Sequence, residues 1–375
     1  MFLVQANEIE FELTLEAVSP LLIRDGRLNK ESREQWLKPV LAKIHSEDGL
    51  QKRKSDTPSA VPVCRNSLED LREAVTTGDP VVNVNGLKFY VPGSSLRGVW
   101  RSHLESLLRG LTPMDAPKVC DPLNDAAEAL QSCSKVLTDL VSTEDEDEED
   151  EDENDAAAGA EPRSPLISYH VSCPVCRLFG NTHQGGRVSI SDGERIGDGG
   201  EILSREHISI NRKTGVVSQN GPYKFFGLKG AKFEIAVKVV NFELWQLRLL
   251  ADLFGDAAER LLPIGSCKSK GYGTNKVTVD RVRVTYFGRG PFEARIYGVA
   301  EHPNHGAWFQ QRYGIKSAAD APPIPVPVVA TSPWRNSALL EDPPALKRFL
   351  ETCGTIDLPM GGFHGLAERG AVALQ

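Results

Sequence analysis

The chain has 375 residues, 40% of them hydrophobic, which is enough to bury a large core in one domain or two. No run of 18 apolar residues occurs, so no transmembrane helix is expected, and the N-terminus MFLVQANEIEFEL gains charge too early for a secretory leader. Seven cysteines at irregular spacings argue against a disulfide framework and for free thiols in a reducing cytoplasm.

The formal net charge of −8 is set by one segment. Residues 144–155, EDEDEEDEDEND, hold eleven carboxylates in twelve positions, and without those eleven the remainder stands at +3. A mildly basic body suits a nucleic-acid groove. The acidic run, spanning about residues 142–162, is expected to be a solvated, disordered insertion, because like charges repel and nothing apolar offsets the ordering entropy. Shielding of a basic surface until RNA arrives is the sharper alternative.

The elements follow in chain order. EIEFELTLEAVSPLL at 8–22 alternates apolar and polar residues and reads as a strand, half buried at its start. A polar, lysine-rich stretch runs to about 60, and LKFYVPG is a short strand. Ser94–Arg109 is a helix with Leu96, Val99, Trp100, Leu104 and Leu107 on one face; Arg97 and Arg101, four apart, share another. RVSISD at 187–192 is a strand. HISINRKTGVV and KFFGLKGAKFEIAVKVV read as two long strands joined by a projecting hairpin. FELWQLRLLADLFG is a second helix and NKVTVDRVRVTYF a closing strand. The order β-α-β-β-α-β is ferredoxin-like, the topology of RNA-recognition motifs. From about 289 the composition turns proline-rich, and an extended tail with one short helix, ALLEDPPALKRFLE, interrupted by prolines, is expected.

Three motifs carry chemistry. VPGSSLRGVWRSHLE at 91–105 places Gly93, Ser94, Ser95 and Gly98 at a helix start, where free N–H groups and the helix dipole favour phosphate, with Arg97 and Arg101 adding fixed charge. An ordinary serine cap is the plain alternative. CPVCRLFG at 173–180 has zinc-knuckle spacing at Cys173 and Cys176 but supplies only half a site. PIGSCKSKGYGTNKV at 263–277 sets Lys268 and Lys270 among Gly265, Gly271 and Gly273, a loop suited to a phosphodiester backbone. It lacks the GxxxxGK[ST] pattern of a nucleotide-hydrolysing loop. Tyr223, Phe225 and Phe226 lie on the hairpin's return limb with Lys213 and Lys224; exposed aromatics there would unstack a base, whereas buried ones would serve the core.

Taken in order, the three motifs resemble the RAMP superfamily, the RNA-binding proteins of CRISPR effector complexes, and within it a backbone subunit of a type III complex. The resemblance spans roughly residues 8–288. It implies an α+β ferredoxin-like core with a long β-hairpin thumb, a zinc-knuckle insertion and an irregular C-terminal extension. The implied division is a 1–288 RNA-binding domain followed by a 289–375 proline-rich extension. The implied partners are CRISPR guide RNA, target RNA and other type III subunits, with no membrane. The resemblance also implies a structural zinc held by three cysteines and one histidine, here His103, Cys120, Cys173 and Cys176, with His170 as the substitute ligand. Cys64, Cys133, Cys267 and Cys353 then read as small apolar residues. In target-cleaving relatives an Asp in the loop after the first strand supports metal-dependent RNA cleavage with Mg or Mn. That role falls here to Asp25, in SPLLIRDGR, with Asp48 as the alternative. A stand-alone RAMP endoribonuclease that processes guide precursor is the competing reading. It is disfavoured because such relatives usually rely on a catalytic histidine, and no His falls near the first strand. A zinc-containing RNA-binding module outside CRISPR is the third.

Overall fold

The computed structural model describes residues 3–24, 58–67, 70, 81–82, 86–111, 119–124, 131–145, 165–217, 223–317 and 321–358. Asp25, Asp48 and nearly all of the acidic run lie outside the described residues.

β1 (Asn7–Ala17) buries every second residue, with Ile9, Phe11, Leu13 and Leu15 turned to the core. The alternation in the sequence leads to this directly, since strand side chains repeat every two residues. β2 (Pro58–Ala60), β3 (Val81–Val82) and β4 (Tyr90–Val91) are short. α1 (Gly93–Gly110) buries Leu96, Trp100, Leu104 and Leu108. Leu108 therefore stands in the core stripe where Leu107 was expected, because the buried row runs strictly at i+4. α2 (Cys133–Asp145), α3 (Pro165–Val171) and α4 (Pro174–Phe179) lead to β5 (Val188–Ile190), β6 (Gly193–Ile196) and β7 (Glu201–His207). β8 (Tyr223–Lys229) and β9 (Lys232–Val240) precede α5 (Leu244–Ala258), and β10 (Asn275–Phe287) follows it.

One sheet runs from β11 (Val329–Ser332) through β12 (Arg335–Leu340), β10, β1, β9 and β6 to β4, with β5 also paired to β9. Within it, β10-β1-β9-β5 is antiparallel throughout, and with α1 and α5 it forms the expected β-α-β-β-α-β unit. Phe254 of α5 meets Phe11 of β1 at 5.1 Å and Trp100 of α1 at 6.0 Å, which locks both helices to one face. The opposite face is polar. Glu8 pairs with Lys238 at 2.8 Å, Glu12 with Arg281 at 3.0 Å and Glu10 with Arg283 at 4.0 Å. The two central strands present Glu8, Glu10, Glu12, Thr14 and Glu16 on β1, and Lys232, Glu234, Ala236, Lys238 and Val240 on β9. Neither column holds an aromatic residue, so this face lacks the base-stacking platform of an RNA-recognition motif.

A second sheet, β2-β8-β7-β3, carries the hairpin. The long apolar stretch read as one return strand is divided at Gly230: β8 belongs to this second sheet and β9 to the main one. The tip is tied by an Asn211 side chain that accepts from the Lys213 and Thr214 N–H groups.

The tail is more regular than its prolines suggest. After α6 (Gly306–Tyr313), β11 (Val329–Ser332) and β12 (Arg335–Leu340) extend the main sheet, with β12 antiparallel to β10. α7 (Pro343–Gly354) packs on α5 and β10 with Phe349 fully buried. The prolines start this helix and do not interrupt it: a first-turn proline loses no hydrogen bond, and Asp342 caps the end by accepting from Ala345 N–H at 3.1 Å. No helix among the described residues is long and apolar enough to cross a membrane.

Two glycines of the first motif separate cleanly. A Cβ on Gly93 would stand 2.5 Å from the Ile190 carbonyl oxygen, whereas one on Gly98 would meet nothing. Gly93→Ala is expected to destabilise by about 1–3 kcal/mol through overpacking. Gly98→Ala should stabilise by roughly 0.5–1 kcal/mol, and thermal or urea denaturation distinguishes the two signs.

Candidate metal centre and nucleic-acid interface

Cys173 ends the turn after α3 and caps α4, its sulfur accepting from Cys176 N–H at 3.4 Å. This short capped helix brings both knuckle sulfurs to one side. Cys120 and Cys133 complete the group: all four are buried, and their sulfurs lie within 4.8 Å of one another. Cys120 Sγ is 3.7 Å from Cys173 Sγ and 3.6 Å from Cys176 Sγ. Disulfides are much shorter than these contacts, and none of the seven cysteines is in a disulfide. Four sulfurs at about 2.3 Å from a tetrahedral zinc would stand about 3.8 Å apart, so the spacing fits a zinc held by four cysteines.

The chemistry of the cluster agrees with its geometry. Hydrogen bonding with Cys120, Cys133 and Cys173, and then burial, drives the Cys176 thiol far above its usual range. Hydrogen bonding with Cys133 and Cys173 raises Cys120 likewise, while the Cys120 contact lowers Cys133. Four thiolates cannot share so small and dry a space without a cation. Soft sulfur donors suit zinc and not Mg or Mn, which take oxygen. Among the described residues no other group of three or more His, Cys, Asp and Glu side chains converges in this way.

The converging donors therefore differ from the expected set. His103 is not in the cluster; its Nε2 lies 2.6 Å from Asp256 Oδ2, joining α1 to α5. His170 is not among the converging donors either; its ring faces Tyr169 at 6.2 Å, and its carbonyl accepts from Arg177. Cys133, read as a plain apolar residue, takes the fourth position.

Arg97 and Arg101 also point elsewhere than expected. Arg97 donates to the Val188 carbonyl at 2.9 Å and to the Phe179 carbonyl, with its guanidinium 5.4 Å from the Phe179 ring. Arg101 donates to Gly180 O at 2.9 Å, Glu105 Oε1 at 2.8 Å and Cys176 Sγ at 3.3 Å. One helical turn beyond Glu105, Arg109 donates to the Cys120 carbonyl. Arg97, Arg101, Glu105 and Arg109 are thus one i+4 row that grips the cysteine knuckle. At the helix start the Gly93 N–H donates to Asp192 Oδ1 at 2.9 Å, and Ser95 N–H turns back to Pro92 O. A carboxylate from the chain itself occupies the place assigned to phosphate; Ser94 remains exposed.

A second constellation forms at the glycine-rich loop. Gly265 and Gly273 lie against the chain after β1: a Cβ on Gly265 would be 2.5 Å from Leu22 O, and Gly273 N–H donates to Pro20 O at 3.0 Å. Lys268 and Lys270 stand exposed on the 3-10 turn between them. Phe225 and Phe226 are both buried, so neither can wedge into RNA. Phe225 packs with Leu22 and Tyr272, beneath Arg24 at 5.6 Å and Lys270 at 5.7 Å. Arg205 lies 5.3 Å from the Tyr272 ring, and His207 Nε2 lies 3.3 Å from Tyr272 Oη. Burial, then Lys270 and Arg205, lowers the His207 pKa. Lys224 pairs with Glu206 at 3.3 Å, while Lys213 stays exposed at the tip. Arg205, His207 and Tyr272 were missed in the sequence. Their only signal was an Arg and a His two apart on a strand, which places them on one face.

A family model of the RAMP superfamily matches residues 14–276. The chain belongs to the RAMP superfamily. Membership carries a CRISPR-associated, RNA-binding role. No curated protein sequence matches the chain.

Two outcomes follow for this RAMP protein. Metal analysis should find about one zinc per chain, lost in Cys133→Ser as in Cys173→Ser and retained in His103→Ala. The Asp192 pKa is lowered, chiefly by the Gly93 N–H bond. Its stabilisation is therefore present above the unfolded value of about 3.9 and fades as pH falls through the lower folded value. Asp192→Asn keeps an acceptor but removes the charge at the helix start, so it should cost up to about 1 kcal/mol at pH 7, and the gap to wild type should close below pH 4 in urea melts.

Proposed function

We propose that this chain is a guide-RNA-binding backbone subunit of a type III CRISPR ribonucleoprotein, presenting guide for pairing with target RNA. One observation carries the reading. The glycine-rich loop, the segment after β1 and the base of the β7–β8 hairpin converge on Phe225 and Tyr272, which gathers Arg24, Arg205, His207 and Lys270, with Lys268 exposed on the same turn. Phosphate contacts from such a group hold a backbone without reading sequence. The hairpin supplies the second element. Its tip exposes Ile208, Ile210, Val216 and Val217 beside Arg212 and Lys213, an aliphatic wedge for unstacking a base where aromatics were expected. Zinc, through the four cysteines, would hold the knuckle that anchors α1 and takes no part in chemistry, since all four positions are filled by protein. In target cleavage, Asp25 directly follows Arg24 of the basic group. Its carboxylate would hold a Mg or Mn ion or orient the attacking 2′-hydroxyl of the target.

A guide-precursor endoribonuclease is the second reading, and His207 favours it. No histidine lies near the first strand in sequence, but folding brings His207 to Phe225 at 5.1 Å, the ring that Arg24 also covers.

Lys270→Ala and Arg205→Ala should each weaken RNA binding for all sequences and flatten the plot of log affinity against log salt by about 0.7. Arg97→Ala should lower stability and leave that slope unchanged. An unchanged slope in both Lys270→Ala and Arg205→Ala overturns the site.

A bound phosphate raises the depressed His207 pKa, so binding takes up a proton. RNA affinity should increase as pH falls from 7.5 to 6, and His207→Gln should remove that increase. In assembled complex, Asp25→Ala should abolish one target cut while sparing affinity. If the isolated protein instead cuts repeat RNA and His207→Ala stops it, the second reading replaces the first.

A further inference from the structure

Four thiolates around a divalent zinc carry a net charge of about −2 in a buried site, and a charge held there needs a partner. α1 supplies one. Arg101 presents three faces of its guanidinium to three partners: Nη2 to Cys176 Sγ at 3.3 Å, Nη1 to the Gly180 carbonyl at 2.9 Å and Nε to Glu105 Oε1 at 2.8 Å. Glu105 is itself buried and lies 3.7 Å from Arg109, so the guanidinium is held in place from behind. The Gly180 carbonyl belongs to the residue that ends the knuckle helix α4, so the same fork spans a metal ligand and the turn that orients it. Burial alone would lower the Arg101 pKa, but the Cys176 sulfur and Glu105 outweigh it and raise it.

Arg97 provides an internal comparison. It lies one turn earlier on the same face and grips the same knuckle, but its two acceptors are the carbonyls of Phe179 and Val188. The two arginines therefore share the task of docking α1, and of the two only Arg101 is hydrogen-bonded to a sulfur.

We propose that Arg101 is a positioning residue of the metal centre: its guanidinium hydrogen-bonds the Cys176 thiolate and offsets the charge of the tetrathiolate, so metal affinity depends on it. The proposal rests on the four-cysteine metal centre. A hydrogen bond to a ligand atom fixes its orientation and withdraws electron density from it, and outer contacts of this kind commonly set 10- to 100-fold in metal affinity. The negative charge of the sulfur cluster is also why a long cationic side chain sits inward on a helix whose sequence suggested a phosphate contact.

Cobalt(II) is the probe, loaded into the full-length chain and titrated against a chelator. Wild type should show the intense sulfur-to-cobalt absorption of a tetrathiolate. Arg101→Met keeps the length of the stem but removes charge and donors. It should lower cobalt affinity by about 10- to 100-fold and move the charge-transfer band to longer wavelength, because the sulfur lone pairs lose a donor. Arg97→Met should leave the band in place, and Arg101→Lys, which keeps the charge but only a single donor nitrogen, should fall between wild type and Arg101→Met. If Arg101→Met does not fold, Arg101→Lys carries the test: an intermediate band supports the proposal, and wild-type affinity with an unmoved band overturns it. Equal losses in Arg101→Met and Arg97→Met with neither band shifted overturn the proposal and leave the metal centre standing. A wild-type chain that shows no tetrathiolate band overturns the metal centre and the proposal together.

Discussion

The grip of α1 on the cysteine knuckle is the contact on which the rest of the structure depends. One face of this helix is apolar and closes the core through Leu96, Trp100, Leu104 and Leu108. The adjoining face, at i+4 spacing, holds carbonyls and a thiol of the knuckle through Arg97, Arg101 and Arg109. Each of these acceptors is a backbone carbonyl or sulfur atom of a short element or of the segment beside one. Without a donor from α1, the C-terminal carbonyls of α4 would be buried and unsatisfied, at a cost of roughly 1–3 kcal/mol each. The six-residue α4 is too short to persist by itself. It is held by the arginines on one side and by the cysteine cluster on the other.

The open face of the sheet is built unlike that of an RNA-recognition motif. A four-stranded ferredoxin-like sheet offers an open face, and RNA-recognition motifs place aromatic rings there. Here that face is laced with Glu–Lys and Glu–Arg pairs between neighbouring strands. Such ladders neutralise the surface and give a phosphate backbone little net attraction. The positive groups lie instead at the strand ends, on the loop after β1, the glycine-rich turn and the hairpin base. Their backbones can approach one another because Gly265 and Gly273 carry no side chain; a Cβ on Gly273 would stand 2.3 Å from the Ile264 carbonyl oxygen. Buried Phe225 and Tyr272 form the floor on which the cations rest, through contacts strengthened by partial desolvation.

Much of the fold was legible because burial writes a period into sequence. The alternation of Ile9, Phe11, Leu13 and Leu15 and the i+4 row of Leu96, Trp100 and Leu104 each allow one local structure. The motifs also identified the superfamily correctly. The site was read less well, for a consistent reason. Spacing shows that Arg97 and Arg101 share a face; it does not show which neighbour that face meets. Phe225 and Phe226 are adjacent on a strand, and adjacent residues point to opposite sides. Both are buried because β8 is covered on both sides, a pattern that continuous apolar strands signal and that weighed against exposed aromatics from the start. The prolines of α7 were misread as breaks because their position relative to Asp342, which makes them a helix start, was not taken into account.

By itself the sequence determined the two core helices, the general run of the core strands and their ferredoxin-like order, the knuckle pair Cys173 and Cys176, and the glycine-rich loop. All of these are set within one element or one turn, where geometry follows from local spacing. Tertiary structure decided the partners. Cys133 lies 40 residues before Cys173, with the acidic run between them, and no period links the two. Arg205 and His207 lie more than 60 residues before Lys270 and Tyr272, and the fold brings them side by side. Long-range contacts of this kind are fixed by how layers pack and which polar groups must be satisfied once buried, and a linear pattern does not record either.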